Sequence, residues 1–280
     1  MSKHSQEKCE RCGAILPEHG LKCRMCGRYN IGQPIVANEC ALPGCDTDGT
    51  ILLSSVVNAS RDRIATGIAD ELFGSDGGGP KGIVRTSVTL LGGEPGAGKS
   101  TLLTQLVHRL VAIMGREALY IAAEEDASEI RMRADRLRCE RQDLVRVLPA
   151  MSGCSDLATV LTSRQPCAII LDSLHGLVGD DAAAADEVLT TLKMQAVRLR
   201  APVIVVQQIT KSDEIAGRMS EQHAVDTVMT FTAEGDEKRI LHVEKNRFGR
   251  AFISATFEMS AIGLREVESS SEDDADEDPH

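Results

Sequence analysis

The sequence predicts an α/β protein built on a mainly parallel sheet and preceded by a small four-cysteine zinc ribbon. Three observations lead there. From residue 86 onward, short apolar runs without polar alternation recur between helical patterns, which is the signature of strands covered on both faces. A glycine-rich loop, Gly93-Glu94-Pro95-Gly96-Ala97-Gly98-Lys99-Ser100, lies between the first such run and the first helix. Two Cys-x-x-Cys-Gly turns stand near the N-terminus.

The ribbon occupies residues 1–30. Cys9, Cys12, Cys23 and Cys26 follow the spacing C-x2-C-x10-C-x2-C, with Gly13 and Gly27 after each pair. Two such turns aim four thiolates at one tetrahedral Zn²⁺, and glycine permits the tight turn after the second ligand. With all four positions filled by protein, the metal is structural and supplies the folding energy that so small a unit lacks. Cys40 and Cys45 read as free thiols, and Cys139, Cys154 and Cys167 as buried small residues. Residues 31–58 are a linker with one apolar segment, Ile51-Leu52-Leu53.

Residues 59–265 form the main domain. Arg63–Ile68 leads into a glycine-rich loop from Gly74 to Gly82. Strands are expected at Thr86–Leu91, Ala118–Ala122, Val145–Leu148, Ala168–Leu171 and Val203–Gln207, alternating with helices at Lys99–Met114, Ala127–Arg138, Asp156–Ser163 and Ala182–Arg200. The first helix places Leu103, Leu106, Val107, Leu110 and Met114 on one face. From Thr227 strands crowd together, at Thr227–Thr232, Arg239–Glu244 and Ile253–Phe257, which reads as an antiparallel extension.

The glycine loop fits Gly-x4-Gly-Lys-[Ser/Thr] in strand–loop–helix context, so it predicts a phosphate cradle rather than an ordinary turn. Gly93, Glu94, Gly96, Ala97 and Gly98 would offer backbone N–H groups on either side of Pro95, reinforced by the N-terminus of the helix that Thr101 continues. Lys99 would reach the β- and γ-phosphates of ATP, and the Ser100 hydroxyl would ligate Mg²⁺. Asp172 ends the apolar strand Cys167–Leu171 and would hold the Mg²⁺ hydration shell opposite Ser100. Tyr120–Ala123 ends in Glu124 and Glu125; Glu124, at the strand end, is the favoured base for the attacking water, with Glu125 solvated. Gln207 and Gln208 also follow a strand, and Gln208 is placed to sense the γ-phosphate; the competing reading is plain loop polarity.

The chain has 280 residues, a formal charge of −11 and only 2% aromatic residues with no Trp. Eight acids and no Lys or Arg follow Arg265, and without those eight the −11 becomes −3. Residues 266–280 are therefore expected as an acidic disordered tail that solubilises or competes with DNA. Few aromatics exclude a base-stacking platform, so any DNA contact would be to the backbone. Met1–Ser5 leads straight into the cysteines without a signal-type apolar run, and no run suits a transmembrane helix, so a cytoplasmic protein without membrane attachment is expected.

Read in order, the ribbon, Arg63–Ile68, Leu91–Gly96, Glu124-Glu125, Leu171-Asp172-Ser173 and Lys245-Asn246-Arg247-Phe248-Gly249 resemble the bacterial RadA (Sms) family of DNA-repair ATPases over nearly residues 8–265. The five-residue Lys-Asn-Arg-Phe-Gly segment is the most specific marker. The resemblance implies a RecA-like P-loop ATPase core, a hexameric ring on single-stranded DNA, and helicase or branch-migration activity in recombination, repair or replication. It implies Lys99, Ser100, Glu124 and Asp172 as ATPase residues, and Lys245 and Arg247 as cations lent to the neighbouring subunit's nucleotide. It implies that Thr210–Asp226 holds a DNA-facing loop and the helix after it, with Lys211 and Arg218 on phosphates. The alternative for that loop is an ordinary surface segment.

Three departures stand out. The family's C-terminal Lon-protease-like domain is expected to be absent, with the acidic tail in its place. The family's Gly-Pro-Arg appears as Gly217-Arg218-Met219, and Gln208 stands where the family usually has His. The competing function is a recombination mediator or loader in which ATP is an assembly switch and the ribbon binds a recombinase or replication protein. A small-molecule kinase would need an acceptor pocket and lid, and would leave the ribbon unexplained.

Overall fold

The computed structural model describes residues 52–55, 62–74, 79–149, 161, 163–207 and 219–267. The four cysteines of the ribbon, most of the linker, the helix expected at Asp156–Ser163 apart from Leu161 and Ser163, Gln208, Lys211 and Arg218 lie outside the described residues.

Among the described residues a nine-stranded sheet organises the chain. The strands are β3 (Val88–Gly92), β4 (Ala118–Ala122), β5 (Val145–Pro149), β6 (Ile169–Asp172), β7 (Val203–Val206), β8 (Thr227–Glu234), β9 (Lys238–Asn246), β10 (Ser254–Ser260) and β11 (Gly263–Val267). Their spatial order is β11-β10-β9-β8-β3-β7-β6-β4-β5. The six strands from β8 to β5 are parallel, and β9, β10 and β11 add antiparallel hairpins on one side. β1 (Arg63–Ile64) and β2 (Ile83–Val84) form a separate two-stranded ladder.

Side chains of the parallel strands alternate between two cores, which is why their sequences show no polar alternation. Tyr120, Ala122, Ile170, Ile204 and Val206 face one side with α1 (Lys99–Met114), which contributes Leu103, Leu106, Val107 and Leu110. Leu119, Ile121, Ile169, Leu171, Val203 and Val205 face the other, under α4 (Ala182–Leu199), where Val188, Leu189, Leu192 and Ala196 are fully buried. Each such aliphatic side chain withdrawn from water stabilises the fold by roughly 1.5–3 kcal/mol before entropy is counted.

The helix ends follow local chemistry. Asp126 caps α2 (Ala127–Arg136) in a reciprocal box with Glu129, and Asp181 caps α4. Gly115 closes α1 at φ 60°. α3 (Leu174–Val178), capped by Ser173, and α5 (Met219–Ala224) are short connectors to the sheet's far side.

β11 runs to Val267, two residues past the end expected at Arg265. Glu266 is therefore part of the sheet rather than of an acidic tail, and its carboxylate accepts the Ala69 N–H at 2.8 Å. No helix among the described residues is long and apolar enough to cross a membrane.

Candidate nucleotide site

The C-terminal ends of β3, β4 and β6 lie at one edge because the strands are parallel and in register, with β7 between β3 and β6: Ala122 pairs with Asp172, and Leu91 with Val206 of β7. This end of an open parallel sheet is where ligands bind. The glycine loop leaves β3 here and enters α1 at Lys99.

The loop is shaped for close backbone approach. Gly93 (φ 151°) lies against the Phe231 carbonyl, so a Cβ there would sit 2.3 Å from that oxygen. Gly98 precedes α1 at φ 102° with no side-chain cap, leaving the first helical N–H groups to an anion. Lys99 is 7% exposed, and its ammonium donates to the carbonyls of Gly93 (2.6 Å) and Glu94 (2.9 Å). Burial lowers the Lys99 pKa, while the charges of Asp172 and Glu124 oppose that shift, which places all three groups in one electrostatic neighbourhood.

Asp172 is buried, and one of its oxygens, Oδ2, accepts the Tyr120 hydroxyl at 2.6 Å. Burial pushes the Tyr120 phenol well above its ordinary value, so it stays a donor. Glu124 is exposed at the mouth of the site. The Ser173 hydroxyl donates to its Oε1, and Gly176 packs against it so closely that a Cβ would lie 2.7 Å from Glu124 Cγ. Glu125 differs from the expectation of a solvated carboxylate: it pairs with Arg133 of α2, whose side chain is largely buried. Its partner is a largely buried cation eight residues on, a pairing that strand-end position alone does not reveal.

These residues fit a nucleoside triphosphate with Mg²⁺. The cradle would be blocked by a Cβ at Gly93, the helix terminus lacks a cap, and a buried lysine is held only by loop carbonyls. Ser100 and one oxygen of Asp172 would suffice for an ion that keeps water and phosphate as its other ligands. No group of three or more His, Cys, Asp or Glu among the described residues could hold a metal by itself.

Sequence reasoning missed three supports. Tyr120 reads as a core aromatic, and its role rests on the β4–β6 pairing. Arg239 of β9 is 8% exposed and donates to the loop carbonyl of Ala97 at 3.0 Å, bracing the cradle from the hairpin extension. Gln207 donates to Glu221 of α5, tying the end of β7 to that helix.

Lys245 and Arg247 stand apart from this site. Lys245 lies near the end of β9 level with Val228, and Arg247 follows just past the strand beside Asp226, at the N-terminal edge of the parallel strands. Asp226, which holds Arg247, bonds to Val88 at the start of β3, about 16 Å along the strand from Gly93. The segment between and after them is pinned to the β1–β2 region. Asn246 donates to the Leu72 carbonyl, Arg63 donates to the Phe248 carbonyl, and Gly249 abuts Gly74 where no Cβ would fit.

Comparison with known proteins agrees with this architecture. The family model described as the KaiC ATPase matches residues 64–148. The DNA repair protein RadA of Brucella abortus is 34% identical over 285 aligned residues, covering 94% of this chain and 60% of that protein. The RadA protein of Mycobacterium tuberculosis is 36% identical over 264 residues, covering 88% of this chain and 53% of that protein. The chain thus spans about three fifths or less of the curated relatives it matches. A KaiC-like protein from Pyrococcus horikoshii shares the fold, with a TM-score of 0.59 at 19% identity over 73% of this chain and 98% of the other. The core is RecA-like α/β, and over nearly its whole length the chain is similar to RadA proteins.

Proposed function

We propose that this chain is a DNA-dependent ATPase that acts as a motor on single-stranded DNA in recombination, repair or replication, as helicase or branch-migration machine. The observation that supports it most is the division of charged groups between two edges of one sheet. Lys99, Asp172 and Glu124 gather at one edge, while Lys245 and Arg247 sit at the other, out of reach of their own chain's cradle.

In this reading Lys99 and the loop N–H groups bind the β- and γ-phosphates of ATP. Ser100 and Asp172 hold Mg²⁺, which when bound neutralises charge on the phosphates. Glu124, oriented by Ser173, aligns the attacking water and accepts its proton. Lys245 and Arg247 of the partner subunit stabilise the charge that develops on the transferred phosphoryl group, so turnover requires assembly into a ring, as a hexamer. Gln208 reports the state of the γ-phosphate to the loop beyond it, where Lys211 and Arg218 meet DNA phosphates. Cys9, Cys12, Cys23 and Cys26 bind a structural Zn²⁺, and the ribbon docks a recombinase or replication protein. Work on DNA places the chain in the cytoplasm.

The experiment is ATP hydrolysis with and without single-stranded DNA, beside strand displacement and the mass of the assembly. The motor reading expects DNA-stimulated turnover that Lys99→Ala abolishes. Nucleotide-dependent assembly on DNA without stimulated hydrolysis or translocation would favour a recombination mediator instead.

A further inference from the structure

We propose that Asp226 is a positioning residue for the cation pair Lys245 and Arg247, linking that pair through α5 to the chain's own nucleotide edge. The proposal rests on the trans role of those cations given above.

Asp226 joins α5 to β8 and is 4% exposed. Its backbone pairs with Val88, and its Oδ2 accepts the Val88 N–H at 3.0 Å. Its Oδ1 accepts from Arg247 Nη1 at 3.2 Å and from Lys193 Nζ of α4 at 3.1 Å. The Asp226 carbonyl also accepts the Arg247 N–H at 3.0 Å, so both backbone and side chain of Arg247 are held by one residue.

The last carbonyls of α5 and the residue after it complete the arrangement. Lys245 Nζ donates to Gln222 (2.6 Å) and Val225 (2.9 Å), and Lys193 donates to Ala224 at 3.2 Å. Carbonyls at a helix C-terminus lack intrahelical partners and carry partial negative charge, which suits cations. Two cations therefore bond one buried carboxylate, and Lys245 beside them feels its charge. The Lys245 pKa is lowered first by burial and then by Arg247 and Lys193, with Asp226 opposing. Without the carboxylate charge the cluster would repel itself, and the guanidinium of Arg247, whose side chain is 48% exposed, would keep only the His223 carbonyl at 3.4 Å.

The other end of α5 meets the nucleotide edge. Glu221 is 5% exposed and accepts from Gln207, whose own N–H donates to Leu91 just before the glycine loop. One short helix thus holds Gln207 at the end of β7 through Glu221, with Gln207 in turn bonded to β3, and meets the cation pair through its C-terminal carbonyls. A shift of α5 in either direction changes how firmly Lys245 and Arg247 are held. That provides a physical link between one subunit's nucleotide site and the cations it offers to the next.

The test uses the whole chain with Asp226→Asn, which keeps the size and the acceptor for the Val88 N–H but removes the charge. DNA-stimulated kcat should fall about 10-fold or more, with KM for ATP and assembly mass near wild type. Asp226→Asn combined with Arg247→Ala should be no slower than Arg247→Ala alone, because both act through one group. Mixing Asp226→Asn with Lys99→Ala chains should restore turnover, since the intact cradle of the first would receive properly held cations from the second. Asp226→Glu, which keeps the charge but displaces it, is read in the same way should the Asn variant fail to melt cooperatively. Wild-type turnover in the Asp226 variants while Arg247→Ala is inactive would overturn the proposal. So would a slow variant that Lys99→Ala chains do not rescue, which marks a defect within its own site. If Lys245→Ala and Arg247→Ala themselves turn over normally, the trans reading fails and the proposal falls with it.

Discussion

The Tyr120 hydroxyl donates to Asp172 Oδ2 at 2.6 Å across the β4–β6 pair, with both residues buried. One carboxylate oxygen is thereby fixed and the other left for the ion. Tyr120→Phe removes that donor with almost no change in volume. Groups that orient a ligand residue in this way typically matter 10–100-fold for metal affinity, so the variant should need about 10-fold more Mg²⁺ for half-maximal ATP hydrolysis. Thermal melting should show a loss of about 1–3 kcal/mol from the unsatisfied carboxylate. An unchanged Mg²⁺ requirement would restrict Tyr120 to a packing role.

Glu124 keeps its bond from Ser173 if replaced by glutamine, because the amide oxygen still accepts. Glu124→Gln should therefore bind ATP as tightly as wild type while turnover drops by about 10²–10⁴-fold. Nucleotide binding followed by fluorescence, set beside phosphate release, separates the two. Equal loss of binding would mean that the carboxylate shapes the site rather than acting on water.

Gly93 and Gly96 make a matched pair. A Cβ at Gly93 meets the Phe231 carbonyl at 2.3 Å, whereas one at Gly96 meets nothing within 4 Å, though its φ is 80°. Gly93→Ala should destabilise by about 1–3 kcal/mol and abolish ATP binding, because the clash is with backbone. Gly96→Ala should cost about 1–2 kcal/mol, the strain of a left-handed alanine alone. Melting curves of the two variants check the order.

Lys99 gives the nucleotide-free protein a distinct pH response. Its folded pKa is lowered from 10.5 by burial, so the folded state binds fewer protons than the unfolded chain in the window just below 10.5. Stability contributed by this group is thus lowest at neutral pH, where Lys99 is charged in both states, and rises as pH climbs through its folded pKa. The difference in melting temperature between wild type and Lys99→Met should shift in favour of wild type from pH 7 to pH 10. A difference that is constant with pH would contradict a desolvated ammonium.

Much of this was legible in the residues. The cradle follows from Gly93–Ser100 because lysine and serine must follow the last glycine for the chemistry to work, and the first helix matches its expected span of Lys99–Met114. The parallel strands were legible because burial on both faces leaves no polar alternation. β11 was not: Gly263-Leu264-Arg265-Glu266-Val267 carries two charges and gains its place from the hairpin with β10. Tyr120, Arg239 and Asp226 escaped notice for a shared reason. Each acts through a partner distant in sequence, and their identities alone suggest a core aromatic, a strand arginine and a loop acid. Lys245 and Arg247 could be flagged only through their five-residue marker, since the sequence does not say that they face away from their own cradle.

The most direct test of the central claim mixes two inactive chains, Lys99→Ala and Lys245→Ala, on single-stranded DNA. If cations are lent across a subunit boundary, the mixture should recover roughly a quarter of wild-type turnover, the random share of boundaries with an intact cradle facing an intact lysine. A mixture as inactive as its components, with assembly intact, would contradict the account.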